Sequence, residues 1–572
     1  MREWTRQQLS AIQARNPSVL VSAAAGSGKT AVLIERVMSL LQEGIPLDRM
    51  LVMTFTHAAA NEMKERLTEQ LAAAAAENPG LKRQYALLQR ADIGTLHSFC
   101  QKLIRRHFQA AGTDPLSKLA DEALADELLR EAMDAALDDF YAAPDEDAQA
   151  LADRFPESDI LAMIRALHAF LMAQAAPWEW LERHAGKTEE GDLYVHPLYA
   201  FAVREADLLL SGAEDLTRAA LGLCARPDGP GHYASALEDD LHLATTLRAA
   251  LKETGRLHWP NLAFSRLPSR KTAEGEDPAL ALQAREWRKK TKKRIEQAIK
   301  LLPCSDAQAE AWMEDIRATW PQLRALAKLT RDAHGRYQEA KTSRSLWDFN
   351  DLEHFALKAL SDPDTAREVS GAYDALFVDE YQDVSHIQEA IITRLGSGRN
   401  TLFMVGDVKQ SIYRFRLADP TLFIGKFKRF SQTADAQERL ITLKENFRSR
   451  PNILSAVNLV FEHAMREGAT EIEYDDQARL TTLSPPDDGD PAVELWLIEK
   501  GEEEEEEEEF PDAPEAEDAD GAGDGEATEP APGEKGQGEM ERAFVYEARL
   551  IARRIRELLG TYVGEGEKRR PL

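Results

Sequence analysis

Short apolar runs alternate with helix-spaced amphipathic stretches over the first hundred residues. Val19-Leu-Val-Ser-Ala23 reads as a short buried strand, and behind it Leu33, Val37, Leu40 and Leu41 repeat at helical spacing. Met50-Leu-Val-Met-Thr-Phe55 repeats the pattern and runs into a long alanine-rich helix opening at Thr56. Ile93-Gly-Thr-Leu-His-Ser98 is a third strand edge, followed by a helix over Phe99 to Phe108. A short helix with Thr5 as N-cap precedes the first strand. Strands alternating with helices at this pace predict a parallel α/β sheet.

From 110 to 345 the period changes. Leu124, Leu128, Leu129, Ala132, Met133 and Leu137 keep helical spacing, and similar helices recur with few strand-like runs. The pattern predicts an all-helical domain inserted between a first part of the sheet unit, 1–109, and a second part, 346–432. Two more strands end in polar residues there, Ala375 to Val378 before Asp379 and Thr401 to Gly406 before Asp407. Leu440-Ile-Thr-Leu443 is expected to open a further α/β unit over 433–500. An acidic Pro/Gly-rich segment, 501–541, holds almost no large apolar residue and is expected to be a disordered linker. An amphipathic helix over Ala543 to Leu559 lies in the last stretch, 542–572.

Charge changes this picture little. Of the net −29, the segment from Glu502 to Glu539 contributes eighteen acids against one base, leaving −12 for the rest. Global acidity therefore does not exclude a nucleic-acid partner. One basic cluster, Trp287-Arg-Lys-Lys-Thr-Lys-Lys-Arg294, supports two readings, a phosphate-backbone contact or a charged helix face. Cys100, Cys224 and Cys304 lie far apart with no metal spacing and read as reduced thiols. With no apolar signal core after Met1 and no run of about 18 apolar residues, a soluble cytoplasmic protein without a membrane partner is expected.

The candidate chemistry sits at the strand ends. The loop Ala23-Ala24-Ala25-Gly26-Ser27-Gly28 leads into Lys29-Thr30 and a helix. Such a loop aims backbone N–H groups and a helix N-terminus at a phosphate chain. Lys29 can reach the β/γ-phosphates of ATP and Thr30 can ligate Mg²⁺. Ala23 stands where the pattern usually has glycine. Asp379, ending a strand, is placed to hold Mg²⁺, and Glu380 to polarise the attacking water. The alternative for that pair is a helix N-cap. Gln410, after another strand, is placed to sense the γ-phosphate. Phe55, Tyr413 and Phe415, with Thr56, Thr95, His97 and Arg416, have the composition that grips single-stranded nucleic acid by stacking and phosphate contacts. For Phe55, ordinary core packing is the competing reading. Gln8 can pair with an adenine edge, or it lies on a solvated helix.

These blocks, in this order, resemble a superfamily-1 DNA helicase of the UvrD/PcrA/RecB type. The likeness rests on Trp4-Thr-x-x-Gln8, the loop Ala23 to Thr30, and Thr54-Phe-Thr-His-Ala-Ala-Ala-Asn-Glu-Met63. It continues through Gly94-Thr-Leu-His-Ser98, Asp348-Phe-Asn-Asp-Leu352 and Asp379-Glu-Tyr-Gln-Asp383. Val405-Gly-Asp-x-x-Gln-Ser-Ile-Tyr-x-Phe-Arg416 and Glu445-Asn-Phe-Arg-Ser449 complete the series. His57 replaces the usual asparagine and Phe447 a common tyrosine. Within the family the likeness is greatest to the AddA type.

The resemblance implies a RecA-like P-loop NTPase motor domain with a large helical insertion and the start of a second RecA-like domain. It implies Gln8 contacting adenine, Phe447 stacking on it, and Arg448 reaching the γ-phosphate from the second motor domain. It further implies ATP-driven 3′→5′ translocation and unwinding on single-stranded DNA and duplex ends, in a heterodimer with an AddB-like nuclease subunit, during double-strand break repair and recombination. The family's remaining helicase motifs and its nuclease domain lie beyond this chain, so a truncated product is expected. Two alternatives follow, an ATP- and single-strand-binding module without unwinding, and an RNA-directed helicase of the same superfamily.

Overall fold

The computed structural model of the chain describes residues 3–185, 192–257, 262–268, 275–465, 470, 472–483, 493–496, 534–558, 562–563 and 570–571. It divides into two compact units, Met1–Arg448 with Asn458–Leu483, and Ser449–Val457 with Ser484–Leu572.

The first unit is built on one parallel sheet. Its strands are β1 (Ser18–Ala23), β2 (Met50–Thr54) and β3 (Asp92–Thr95), then, after the two short strands β4 (Lys118–Leu119) and β5 (Leu346–Trp347), β6 (Ala375–Val378), β7 (Thr401–Gly406) and β8 (Glu438–Leu443). The order across the sheet is β3-β2-β6-β7-β1-β8. Alternate residues of each strand feed opposite cores. Val19, Val21, Val52, Phe377, Phe403, Val405 and Ile441 pack on one face with Leu33 and Val37 of the helix Lys29–Gln42. Leu20, Leu51, Met53, Leu376, Val378, Met404 and Leu440 pack on the other with Phe99, Leu103 and Ile391. A sheet covered on both faces needs continuous apolar strands, which is why these runs do not alternate with polar residues.

The expected unit beginning at 433 is corrected at its first strand. β8 pairs in parallel with β1, Ser18 opposite Glu438 through Ala23 opposite Leu443, so it is the edge of the first sheet. Leu440 and Ile441 bury on its two faces, and that packing, invisible in local periodicity, decides sheet membership. Among the described residues no second large parallel sheet forms.

The helical insertion runs from Glu122–Ala142 to Trp320–Ser343. β4 and β5 pair in parallel where the chain enters and leaves it. Its cores are separate: Met133, Leu137, Ile160, Ile164 and Leu329 form one, and Leu210, Leu247, Leu251 and Ile295 another.

The second unit contains the helix Glu534–Leu558 and a short antiparallel pair, Tyr562–Val563 with Arg570–Pro571. The helix therefore starts inside the segment expected as linker, because Glu, Lys and Gln are good helix formers and extend the amphipathic stretch backwards. The rest of that linker, 501–533, lies outside the described residues. No helix among the described residues is long and apolar enough to cross a membrane.

Candidate functional site

All six strands run the same way, so their C-terminal ends share one edge, where open α/β sheets bind ligands. β1 delivers the loop from Ala24 to Gly28. Only Gly26 (φ +69°) and Gly28 (φ +83°) take left-handed backbone there. Ala23 is buried in the strand with ordinary backbone, so alanine replaces the usual glycine without strain. Gly28 caps the helix Lys29–Gln42 without a side-chain bond, leaving first-turn N–H groups to face the loop.

The loop is clamped from two sides. Gln8 Nε2 donates to the Ser27 carbonyl at 2.9 Å while its Oε1 accepts from Thr5 N at 3.0 Å. Asn446 Nδ2 donates to the Ala25 carbonyl at 2.8 Å, and Phe447 N to the Gly26 carbonyl at 2.9 Å. A Cβ on Gly26 would stand 2.6 Å from Asn446 Nδ2 and 2.9 Å from Arg448 Cβ. Ser27 Oγ is buried and lacks a protein partner, an unsatisfied donor inside the cradle. Gln8 is buried too, and its amide holds the loop; reading adenine would require it to exchange a partner.

β6 delivers the carboxylates. Asp379 N extends the ladder by donating to the Met53 carbonyl at 2.9 Å. Burial and the neighbouring Glu380 push the Asp379 carboxyl up to about 6, against the pull of Lys29. Glu380 sits at φ +52°, a strained position for a residue with a side chain. Its Oε2 accepts from Lys29 Nζ at 3.0 Å and from Gln382 Nε2 at 3.0 Å. Neither carboxylate caps a helix through its side chain, so the N-cap alternative for the pair falls away. Burial, then Glu380, likewise raises Asp383 to about 6. The donor set of Thr30 and Asp379, a hydroxyl and a carboxylate, is all hard oxygen and suits Mg²⁺ shared with phosphate oxygens.

β7 delivers Asp407, whose Oδ2 accepts from Gln410 Nε2 at 2.7 Å and whose Oδ1 pairs with Lys409 Nζ at 2.9 Å. Three residues beyond Gln410, the Tyr413 ring lies 4.7 Å from that of Phe55 and 5.9 Å from that of Phe415. The Arg416 guanidinium stands 5.8 Å from both Tyr413 and Phe415. Phe415 is 75% exposed. Phe55 is half-buried at the edge of this group, so the core reading for it is only half right.

The structure spreads the remaining candidates. Thr56 caps the helix His57–Glu77 through Ala59 N, and Thr95 is buried, capping Leu96–Arg106 through Ser98 N. The Thr95 hydroxyl also meets Ser98 Oγ at 2.9 Å, so it is engaged in holding the turn. His97 Nε2 lies 3.0 Å from the buried Glu353, and its ring meets the exposed Phe349 edge-on at 5.2 Å. Arg448 N donates to Asn446 Oδ1 at 2.8 Å. Sequence reasoning missed Gln382, Asp407, Asn446 and Glu353. The first three lie inside the family motifs, whereas nothing local marks Glu353 as a partner of His97.

Half of the basic cluster works inside the fold. Arg288 is buried and pairs with Asp240 at 2.5 Å, Arg294 donates to the Gly212 carbonyl at 2.9 Å, and Lys292 lies 4.6 Å from the Phe264 ring. Lys289, Lys290 and Lys293 remain exposed.

Residues 4–432 match the family of the UvrD/REP helicase N-terminal domain. The chain is 36% identical to the A subunit of the ATP-dependent helicase/nuclease from Alkaliphilus oremlandii, over 88% of this chain and 43% of that one. It is 38% identical to the protein of that name from Pelotomaculum thermopropionicum, over 97% of this chain and 46% of the relative. For the Geobacillus kaustophilus protein the figures are 38%, 88% and 43%. The chain thus spans less than half the length of these curated relatives.

Proposed function

The chain belongs to the UvrD/REP helicase family, and on that premise we propose that it is the ATP-hydrolysing motor part of a 3′→5′ DNA helicase subunit in a helicase–nuclease complex. The observation that carries this reading is the contact of Lys29 with Glu380, made where the phosphate loop meets the strand-end carboxylates. The relatives, each named as one subunit of a helicase/nuclease, support a partner. We take that partner to be an AddB-like nuclease subunit, and the role to be double-strand break repair by recombination.

Each residue has a physical task. Gly26 and Gly28 present backbone N–H groups to the phosphates, Ser27, whose N–H donates to the Ala24 carbonyl at 3.1 Å, offers its hydroxyl, and the helix beginning at Lys29 adds its positive end. The Lys29 ammonium leaves Glu380 for the β/γ-phosphate oxygens, which frees a Glu380 oxygen to accept a proton from the attacking water. Thr30 and Asp379 would hold Mg²⁺, which supplies neutralisation of charge on the phosphate oxygens. Phe447 covers the loop on the adenine side, Gln410 reports the γ-phosphate, and Arg448 reaches it as the motor closes. On the same sheet edge Phe55, Tyr413, Phe415 and Arg416 offer stacking and phosphate contacts to single-stranded DNA, and Thr56 and His97 are taken as further contacts along the strand.

Lys29→Ala is expected to lower DNA-stimulated ATPase by at least roughly a hundredfold, the scale at which removing one charged group from a transition state acts, with oligonucleotide binding retained. ATPase measured at saturating single-stranded DNA decides, and undiminished turnover in that variant removes the site assignment. The described residues form a single motor sheet, which favours a second reading for the chain alone: it binds ATP and single strands without unwinding. A strand-displacement assay on the chain separates the two, and comparing ATPase stimulation by DNA and by RNA tests the choice of nucleic acid.

A further inference from the structure

Gln382 belongs to no role assigned above, yet it is 1% exposed and its side-chain amide is hydrogen-bonded at both nitrogen and oxygen. Its Nε2 donates to Glu380 Oε2 at 3.0 Å and to Asp383 Oδ2 at 3.0 Å. Its Oε1 accepts from Asp407 N at 2.9 Å. Its backbone carbonyl accepts from Ser411 Oγ at 3.3 Å. One residue therefore holds both ends of the turn from Asp407 to Ser411, and that turn leads directly to Tyr413.

The fit around it is close. A Cβ on Gly406 would stand 2.4 Å from Gln382 Oε1 and 3.0 Å from Phe423 Cε2, so the β7 strand end approaches the amide as only glycine permits. Gln410, the candidate γ-phosphate sensor, hangs from Asp407 Oδ2 at 2.7 Å, inside the same turn.

Resting on the helicase reading, we propose that Gln382 is the positioning residue that couples nucleotide occupancy at Lys29 and Glu380 to the aromatic single-strand platform of Phe55 and Tyr413. A carboxamide is planar, so Nε2 and Oε1 turn together about one torsion. When Lys29 is drawn to phosphate, Glu380 loses one of its two donors and its carboxylate is free to reorient. Gln382 follows it or loses a bond that no water can replace, because the amide is buried. Either response moves the acceptor offered to Asp407 N, and with it the turn bearing Gln410, Ser411 and Tyr413. The link is a continuous set of hydrogen bonds between two ligand sites, the physical requirement for a coupling free energy.

The test uses the full chain, a fluorescent non-hydrolysable ATP analogue with Mg²⁺, and a fluorescein-labelled oligo-dT. The unaltered chain is expected to bind oligo-dT with an affinity that changes by a factor of roughly five or more when the analogue saturates it, and reciprocally. In Gln382→Met, which keeps length but no hydrogen bond, and in Gln382→Glu, which loses both donors, each ligand alone is expected to bind within about threefold of the unaltered chain, while the coupling factor falls to within about twofold of unity. Binding of the single ligands shows that the variants are folded. Coupling that survives in both variants overturns the inference alone. So does a loss of single-ligand affinity beyond about tenfold in both, since Gln382 would then support binding and not communication. If the unaltered chain binds neither ligand, the helicase reading fails and takes the inference with it.

Discussion

Gly26 and Ala23 divide the phosphate loop into a position that needs glycine and one that does not. Gly26 combines φ +69° with a neighbour 2.6 Å from where a Cβ would sit. Gly26→Ala is therefore expected to cost about 1–2 kcal/mol in backbone strain alone, and to weaken ATP-analogue binding at least tenfold as Asn446 is pushed off the Ala25 carbonyl. Ala23→Gly, in contrast, is expected to leave that affinity unchanged and to cost only about 0.5–1 kcal/mol for glycine within a strand. Titrations and melting curves of the two variants check this. An affinity gain in Ala23→Gly would mean that the glycine pattern, and not the placement of positive φ, governs the loop. Glu380 is the complementary case, a carboxylate kept at φ +52° beside an aspartate. It tolerates the strain because Lys29 and Gln382 both hold its side chain.

The sheet's elements were legible in the sequence wherever both faces of a strand are buried, since Val19 to Val21 and Phe403 to Val405 then read as unbroken apolar runs. The neighbour of a strand was not legible. β8 looks locally like any other strand, and only its register against β1 places it at the edge of the first sheet. The site followed the same rule. The Lys29–Glu380 meeting follows from motifs at the ends of strands in one sheet, whereas the partner of His97, Glu353, lies on the helix Phe349–Ala359, distant in sequence. The basic helix Pro278–Lys300 shows the limit most clearly, because a run of cations hides one that belongs to the core. Arg288 is buried against Asp240, with Nη2 also donating to the Ser265 carbonyl at 2.5 Å. Asp240→Ala would strand that charge and is expected to lower stability by about 3–5 kcal/mol. Lys290→Ala, on the exposed face, should change it by no more than about 0.5 kcal/mol. Chemical denaturation of both variants is the check, and an Asp240→Ala curve superimposed on that of the unaltered chain would show the pair to be dispensable.

At the scale of the whole first unit, the insertion meets the motor through a buried polar node whose charge state depends on pH. Lys341 donates to Asp348 at 2.7 Å and to Asp351 at 2.6 Å, and Tyr337 adds a bond to Asp348 at 2.7 Å. Near it His168 Nε2 lies 3.1 Å from His334 Nδ1, joining the helices Glu157–Met172 and Trp320–Ser343. His354, on the helix Phe349–Ala359, faces the Met172 carbonyl at 3.0 Å, and the Trp178 ring lies 4.8 Å from that of His334. Burial is the main cause that lowers His168 to about 4 and His334 to about 3, with Lys341 and His354 acting in the same sense and Asp348 opposing them. His354 is lowered as well, again by burial. Because the folded values lie below 6.5, the value for an exposed histidine, the unfolded chain binds more protons than the folded one throughout that window. Their contribution to stability is therefore complete above about pH 6.5 and declines as pH falls toward the folded values, by about 2 kcal/mol each for His168 and His334 at pH 5. The double variant His168→Asn, His334→Asn removes two of these sites, so its melting temperature is expected to fall less between pH 7 and pH 5 than that of the unaltered chain. Equal falls in the two proteins would overturn this, and the carboxylates could not take the histidines' place. Asp379 and Asp383 are raised by folding, so they bind more protons in the folded state and stabilise it as pH falls. Asp374 beside Arg49 is lowered, and its contribution, present above the ordinary carboxylate value, is lost only as pH drops through that range, below this window. Between pH 7 and pH 5 the loss from the histidines and the opposing gain from Asp379 and Asp383 therefore overlap, and the double variant, which leaves those two aspartates in place, separates the histidine share.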